Sequence, residues 1–174
     1  MNNILIISGS PRMGNMYRFS DVLAKYVAEQ GKNAKTLYLS SLDIQYCTGC
    51  LRCEDEGICP IIDDNETVKT EMLSADVIVL ATPVYFDNVP GKVKSLIDRS
   101  NLYMNELKGK KCLAVLCGQA DEQSWTNCAD IIRNYVEICG MDFLGSVVEN
   151  ARKSDDLSNV QLNDMAAKLI KLIG

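Results

Sequence analysis

Short β-branched runs that end in turn residues alternate with amphipathic helical segments along almost the whole chain, and few folds accept that alternation. Asn3-Ile-Leu-Ile-Ile-Ser8 runs into Gly9-Ser10-Pro11, the pattern of a buried strand feeding a turn. From Asn15 to Gln30 the apolar positions Met16, Phe19, Val22, Leu23, Tyr26 and Val27 recur at three- and four-residue steps, with Gly31 as a stop, which predicts a helix. A second strand is predicted over 34–39 and a short helix over 66–73, with an irregular cysteine-rich segment at about 40–65 between them. Asp76-Val-Ile-Val-Leu-Ala-Thr82 is apolar almost throughout, as a central parallel strand covered on both faces must be. Helices over 91–102, 124–139 and 160–173 and strands over 111–117 and 143–148 complete the series. Right-handed crossovers then give an α/β, doubly wound, five-stranded parallel sheet in three layers, α/β/α, with strand order 2-1-3-4-5.

At 174 residues the chain suits one domain, 1–174, with the cysteine-rich stretch as an insert. Apolar residues make up 47% and charged residues 24%, a globular rather than a disordered balance. A formal charge of −5 without any basic block argues against the phosphate-tracking surface that nucleic-acid binders need. Met1-Asn2-Asn3 leads into the first strand without the features of an export signal, so a cytoplasmic location is expected. The most apolar run, Val77 to Phe86, is about half of the ~20 residues a membrane helix needs, and no membrane partner is expected. Histidine is absent, which removes His-based acid–base pairs, Ser-His and Cys-His nucleophile systems and His-ligated metals. No side chain is assigned as a catalytic acid, base or nucleophile.

In such a sheet ligands bind beyond the carboxyl ends of the strands, where strands 1 and 3 diverge. The loops Ser8 to Asn15, Thr82 to Pro90 and Cys117 to Ser124 lead there, whereas Lys153 to Asp156 reads as a charged surface connection. The first loop joins a strand to a helix N-terminus, whose unpaired N–H groups and positive dipole end favour an anion. It lacks the Gly-Lys-Ser/Thr of a Walker A loop, and Pro11 occupies the middle-glycine position of the dinucleotide pattern. A single terminal phosphate, as on FMN, suits it better, with Ser10 and Asn15 as side-chain donors and Arg12 as the charge. The alternative is a plain turn whose Ser and Asn only cap the helix.

Eight cysteines in a reducing compartment read as ligands or buried thiols rather than structural disulfides. Cys47, Cys50 and Cys53 stand at three-residue steps and Cys59 follows, a spacing that can wrap a [4Fe-4S] cluster. Zinc, or free or oxidised thiols, remain as alternatives. Glu54, Asp55 and Glu56 would lower a cluster's potential, or simply form a solvated turn. Cys112, Cys117, Cys128 and Cys139 read as buried thiols, with Cys117 at a strand end near the ligand crevice.

Gly9-Ser10-Pro11-Arg12 with Gly14-Asn15, Thr82-Pro83-Val84-Tyr85 and the run Pro90 to Arg99 together resemble the NADPH-dependent FMN reductase superfamily of flavodoxin-like proteins, over roughly residues 3 to 118. The cysteine run, followed by Asp63-Asp64, is similar to that of the iron-sulfur flavoproteins. The resemblance implies FMN, its phosphate at Ser10, Arg12, Asn15 and the backbone of Met16, its ring along Pro83, Val84, Tyr85 and Phe86. Cys117 and Gly118 open the third loop beside it. It further implies an NAD(P)H-dependent oxidoreductase relaying electrons between FMN and a [4Fe-4S] cluster at Cys47, Cys50, Cys53 and Cys59. The donor would be NAD(P)H or a protein, the acceptor a small molecule or a protein. The assembly would be a homodimer or tetramer in which one subunit's cysteine-rich loop approaches another's FMN. A cluster-free FMN or quinone reductase, a non-enzymatic electron carrier and a zinc-stabilised interaction domain are the rival readings. Three positions depart from the family pattern: Met16 replaces a hydroxyl residue, Asp87 a glycine, and Cys117-Gly118-Gln119 a Gly-Gly loop start.

Overall fold

A computed structural model describes residues 3–174; Met1 and Asn2, read above as leading into the first strand, lie outside the described residues. The chain forms β1 (Asn3–Ser8), α1 (Asn15–Glu29), β2 (Asn33–Tyr38), a single helical turn α2 (Arg52–Asp55), α3 (Asn65–Ser74), β3 (Val77–Pro83), α4 (Gly91–Arg99), β4 (Lys111–Gly118), α5 (Glu122–Ile138), β5 (Asp142–Asn150) and α6 (Asn159–Ile173). The strands form one parallel sheet in the order β2-β1-β3-β4-β5, as the alternation requires.

Alternation of side chains across the strands builds two cores from one sheet. On one face Leu5, Ile7, Leu80 and Leu116 pack with Val68 and Met72 of α3, Val93 and Leu96 of α4 and Ile132 and Val136 of α5. On the other, Ile4, Ile6, Val79 and Val115 pack with Phe19, Leu23 and Val27 of α1 and Leu162, Met165 and Leu169 of α6. The periodic face predicted for α1 is thus the face it buries, at roughly 1.5–3 kcal/mol for each large apolar side chain removed from water.

Boundaries shift where capping chemistry intervenes. The Asp121 carboxylate accepts a hydrogen bond from the Ser124 N–H at 2.8 Å, so α5 begins at Glu122 rather than Ser124. The helix predicted to reach Leu102 stops at Arg99 and continues as a 3-10 turn, Ser100–Leu102. β5 is longer than expected, with a pairing irregularity opposite Cys112/Leu113 where Gly145 adopts φ 131°. Three bonds carry the parallel ladder past the strand ends: Gly9 N–H to Ala81 O at 2.7 Å, Val84 N–H to Cys117 O at 3.0 Å and Ala151 N–H to Gly118 O at 2.9 Å. They fix where the loops leave the sheet.

Candidate functional site

The loops leaving β1, β3, β4 and β5 enclose a cleft of about 100 Å³ at the carboxyl edge of the sheet, lined by Ser10, Arg12, Asn15, Met16, Pro83, Val84, Tyr85, Cys117 and Gly118 together with Gln119, Ala151 and Arg152. It lies at the switch point, where β1 has β2 on one side and β3 on the other. A larger depression of about 280 Å³ sits at the amino ends of β1 and β2 beside Asn3, Lys35 and Glu71, but there Lys35 pairs with Glu71 at 2.6 Å and no helix N-terminus opens.

At the N-terminus of α1 no side chain among the described residues caps the helix, and its first turn holds no acidic residue. The Ser and Asn of this loop therefore do not act as the helix cap that the bland reading required. Gly9 allows the close approach: a Cβ there would lie 2.3 Å from Cγ2 of Val93 and 3.1 Å from Oγ1 of Thr82.

The polar side chains expected to face an anion make other bonds in this structure. Ser10 Oγ donates to the Arg12 carbonyl at 2.8 Å and accepts from the Arg12 N–H at 3.3 Å. Asn15 Nδ2 donates to Lys153 O at 2.7 Å, and its Oδ1 accepts from the Leu157 N–H at 3.4 Å. Arg12 Nη2 reaches Arg152 O at 3.4 Å, and Arg18 Nη1 reaches Leu157 O at 2.9 Å. The segment after β5, read from sequence as a mere surface connection, is thus a fourth wall. Its carbonyls need donors, and the first loop and the first turns of α1 supply them. The strand-end rule that singled out the other three loops applies equally to β5, and the pair Arg152-Lys153 was its available signal.

Phe86 does not line the cleft. Tyr85 and Asn88 close a two-residue hairpin, Tyr85 N–H to Asn88 O at 2.9 Å and Asn88 N–H to Tyr85 O at 3.0 Å. Its tip residues Phe86 and Asp87 take φ 50° and 60°, a left-handed conformation costly for side-chain-bearing residues, and the Phe86 side chain is fully exposed. The sequence carried no Asn-Gly or Gly-Gly signal for such a turn. Cys117 closes the back of the cleft as a neutral wall. Burial pushes its thiol up to about 11, with Glu149 and Asp156 adding to the rise and Asn15 and Arg12 opposing it.

The cysteine-rich segment hangs on a buried ion pair. Arg99 and Asp63 side chains are 2% and 1% exposed and pair twice, Nη1 to Oδ2 at 2.7 Å and Nη2 to Oδ1 at 3.1 Å. Arg99 also donates to Gln45 O at 3.1 Å and Ile61 O at 3.3 Å, so it grips the chain before the first cysteine and after the last. Burial alone would raise the Asp63 pKa, but hydrogen bonds from Arg99, Gln45 N–H and Asn65 N–H hold it below the ordinary carboxylate value. Between these anchors Cys47 and Cys50 are exposed and Cys53 and Cys59 half-buried, and all four thiols are free. Cys47 Sγ accepts from the Gly49 N–H at 3.4 Å and Cys53 Sγ from Asn101 Nδ2 at 3.3 Å. The donor set and its N–H neighbours fit a thiolate-bound centre in kind. The convergence expected from spacing is not seen: among the described residues no three cysteine or acidic side chains come together at metal-binding distance. Left-handed turns at Gly49, Leu51 and Gly57, which a count of residues between cysteines does not reveal, lie along this stretch.

The sheet order and the strand–loop–helix cleft define a flavodoxin-like fold. Solved structures share it: the WrbA-like flavodoxin from Agrobacterium tumefaciens, TM-score 0.70, 16% identical, covering 99% of this chain and 95% of that one, and general stress protein 14 from Treponema denticola, solved in complex with FMN, TM-score 0.63, 14% identical, covering 99% and 98%. The chain matches the NADPH-dependent FMN reductase family over residues 2–153 and belongs to it, an oxidoreductase family that works with FMN. It is similar to an iron-sulfur flavoprotein of Methanosarcina thermophila, 29% identical over 177 residues, 96% of this chain and 93% of that one. An iron-sulfur flavoprotein of Methanocaldococcus jannaschii is 40% identical over 98 residues, 56% of this chain and 51% of that one. A Bacillus subtilis protein provisionally named an NAD(P)H-dependent FMN-containing oxidoreductase is 28% identical over 181 residues, 97% and 96%. No helix among the described residues is long and apolar enough to cross a membrane.

Proposed function

We propose that the chain is an NAD(P)H-linked oxidoreductase that holds FMN at the carboxyl edge of its sheet, with a second redox centre in the cysteine-rich segment. Residues 1–174 act as one flavin-binding unit in this reading, the segment at about 40–65 being an insert. The carrying observation is the uncapped α1 N-terminus opening into the cleft between β1, β3 and β4 in a chain of this family. N–H groups at that terminus and the Arg12 guanidinium suit a phosphate dianion, and Ser10, Asn15 and the Met16 backbone stand beside it. Pro83, Val84 and Tyr85 offer the apolar wall a flat ring needs, Cys117 and Gly118 the back, and Phe86 reaches beyond from the hairpin tip. FMN supplies the interchange between two-electron and one-electron transfer. The protein positions the ring, neutralises the phosphate and keeps the Cys117 thiol protonated beside it.

For the second centre we assign Cys47, Cys50, Cys53 and Cys59 to a [4Fe-4S] cluster. Supporting this are four free thiols on one segment, N–H donors at two of the sulfurs, and the names of the Methanosarcina and Methanocaldococcus relatives. In this reading, contact between the centres comes from a homodimer or tetramer in which one subunit's cysteine-rich loop approaches another's FMN, as the family resemblance implies. The splayed thiols favour one rival, a cluster-free NAD(P)H-dependent FMN or quinone reductase. Anaerobic iron and sulfide assay with EPR of the reduced protein separates the two. Stoichiometric iron and sulfide with a reduced-cluster signal supports the relay, and iron-free protein that still oxidises NAD(P)H with a quinone supports the rival.

A further inference from the structure

The segment between β5 and α6 is fastened to the cleft more firmly than a connection of its length requires. Its ends, Ala151 and Leu157, are buried, and Ala151 N–H continues the sheet ladder to Gly118 O. Asn15, at the start of α1 and 6% exposed, uses both ends of its amide on this segment: Nδ2 donates to Lys153 O at 2.7 Å, and Oδ1 accepts from Leu157 N–H at 3.4 Å. The approach is close: a Cβ on Gly14 would stand 3.2 Å from Cβ and 3.3 Å from Cα of Ser154. The Asp156 carboxylate closes the turn by accepting from the N–H groups of Arg152 at 2.8 Å and Lys153 at 2.7 Å.

This strap fixes the backbone of Arg152 beside Arg12. The Arg152 carbonyl accepts from Arg12 Nη2 at 3.4 Å, and both arginines line the same cleft. Among the described residues the Arg152 guanidinium makes no hydrogen bond or ion pair, so its head is free for a ligand while its main chain is held. A phosphate monoester carries close to two negative charges above its second pKa of about 6. The α1 N-terminus offers about half a positive charge and Arg12 one, which leaves a dianion short of balance. A second guanidinium supplies the remainder.

We propose that Arg152 is a second phosphate-binding residue of the flavin site, presented by a strap, residues 151–157, that Asn15 clamps in place. The proposal rests on the FMN reading above. Asn15 is then a positioning residue: the strap takes up its amide, and the phosphate meets the two guanidinium groups and the N–H groups of α1. Lys153 is equally exposed and one residue away but does not line the cleft, so it serves as the control for charge alone.

The test is calorimetric titration of the flavin-free full chain with FMN and with riboflavin, which lacks the phosphate. Arg152→Ala lowers FMN affinity about 10-fold and leaves riboflavin affinity unchanged, whereas Lys153→Ala changes neither. Asn15→Ala lowers the FMN-to-riboflavin ratio in wild type and has no further effect on it in the Arg152→Ala background. Unchanged FMN affinity in Arg152→Ala overturns the proposal. Equal losses for the two flavins also overturn it, since they mark a displaced wall, and so does an equal effect of Lys153→Ala, which marks a diffuse field. A further fall in the ratio when Asn15→Ala is added to Arg152→Ala overturns the positioning role of Asn15. Failure of the FMN reading itself shows in wild type alone, as equal affinity for the two flavins or binding of neither.

Discussion

Single side chains carry strain and charge at identifiable cost. Phe86 holds a left-handed conformation with its ring fully in solvent. Phe86→Gly removes a strain of roughly 1–2 kcal/mol and adds back roughly 0.5–1 kcal/mol of unfolded-chain entropy. Chemical denaturation should therefore show a variant about 0.5–1 kcal/mol more stable, with weaker FMN binding if the ring reaches Phe86. Gly9→Ala works in the opposite direction. Its methyl group meets the buried Val93, so stability should fall by roughly 1–3 kcal/mol and FMN affinity with it, as the first loop is displaced. Asp63→Asn leaves the Arg99 guanidinium buried without a counter-charge and should cost roughly 3–5 kcal/mol. The sign of the pH dependence follows from the lowered Asp63 pKa. Its contribution is present in full above the unfolded value of about 4 and is lost as pH falls through the folded one, so wild type should lose more stability between neutral and acid pH than Asp63→Asn does.

Elements explain which parts of the site could be read from sequence. β1, α1 and β3 announce themselves by periodicity because both faces of the sheet are covered, so a run such as Val77 to Ala81 has no polar side to show. That Ser10, Arg12, Asn15, Pro83 and Tyr85 lie along the cleft was legible because they sit just beyond strand ends. The hairpin at Tyr85 to Asn88 was not, since Phe86 and Asp87 are residues that rarely take such a turn. Nor was the wall after β5, because its contacts with Asn15 and Arg18 join positions about 140 residues apart. The cysteines divide by element as well. Burial pushes Cys112 and Cys128 up to about 12 and raises Cys139, whereas Cys47 and Cys50 stand in solvent. Alkylation of metal-free native protein near neutral pH should modify Cys47 and Cys50 first and leave Cys112, Cys117, Cys128 and Cys139 untouched until denaturation, as read by peptide mass spectrometry. Early modification of Cys117 would mean that the cleft's back wall opens.

The whole molecule places its cleft at the carboxyl edge of the sheet and anchors a separate cysteine-bearing segment to Arg99 of α4. The cleft of about 100 Å³ is smaller than the ~300 Å³ at which small-molecule sites begin, so in the proposed reading it takes the phosphate and its linker while the ring spreads over Tyr85 and toward Phe86. Affinity should accordingly come largely from the phosphate end. Charge-assisted hydrogen bonds at that end contribute roughly 1.5–3 kcal/mol, equivalent to about 10- to 100-fold in binding. Calorimetric titration of the flavin-free protein with FMN and with riboflavin tests this most directly. The account predicts FMN binding at least about 10-fold tighter than riboflavin, with the difference largely abolished in Arg12→Ala. Equal affinity for the two flavins, or no binding of either, would contradict it.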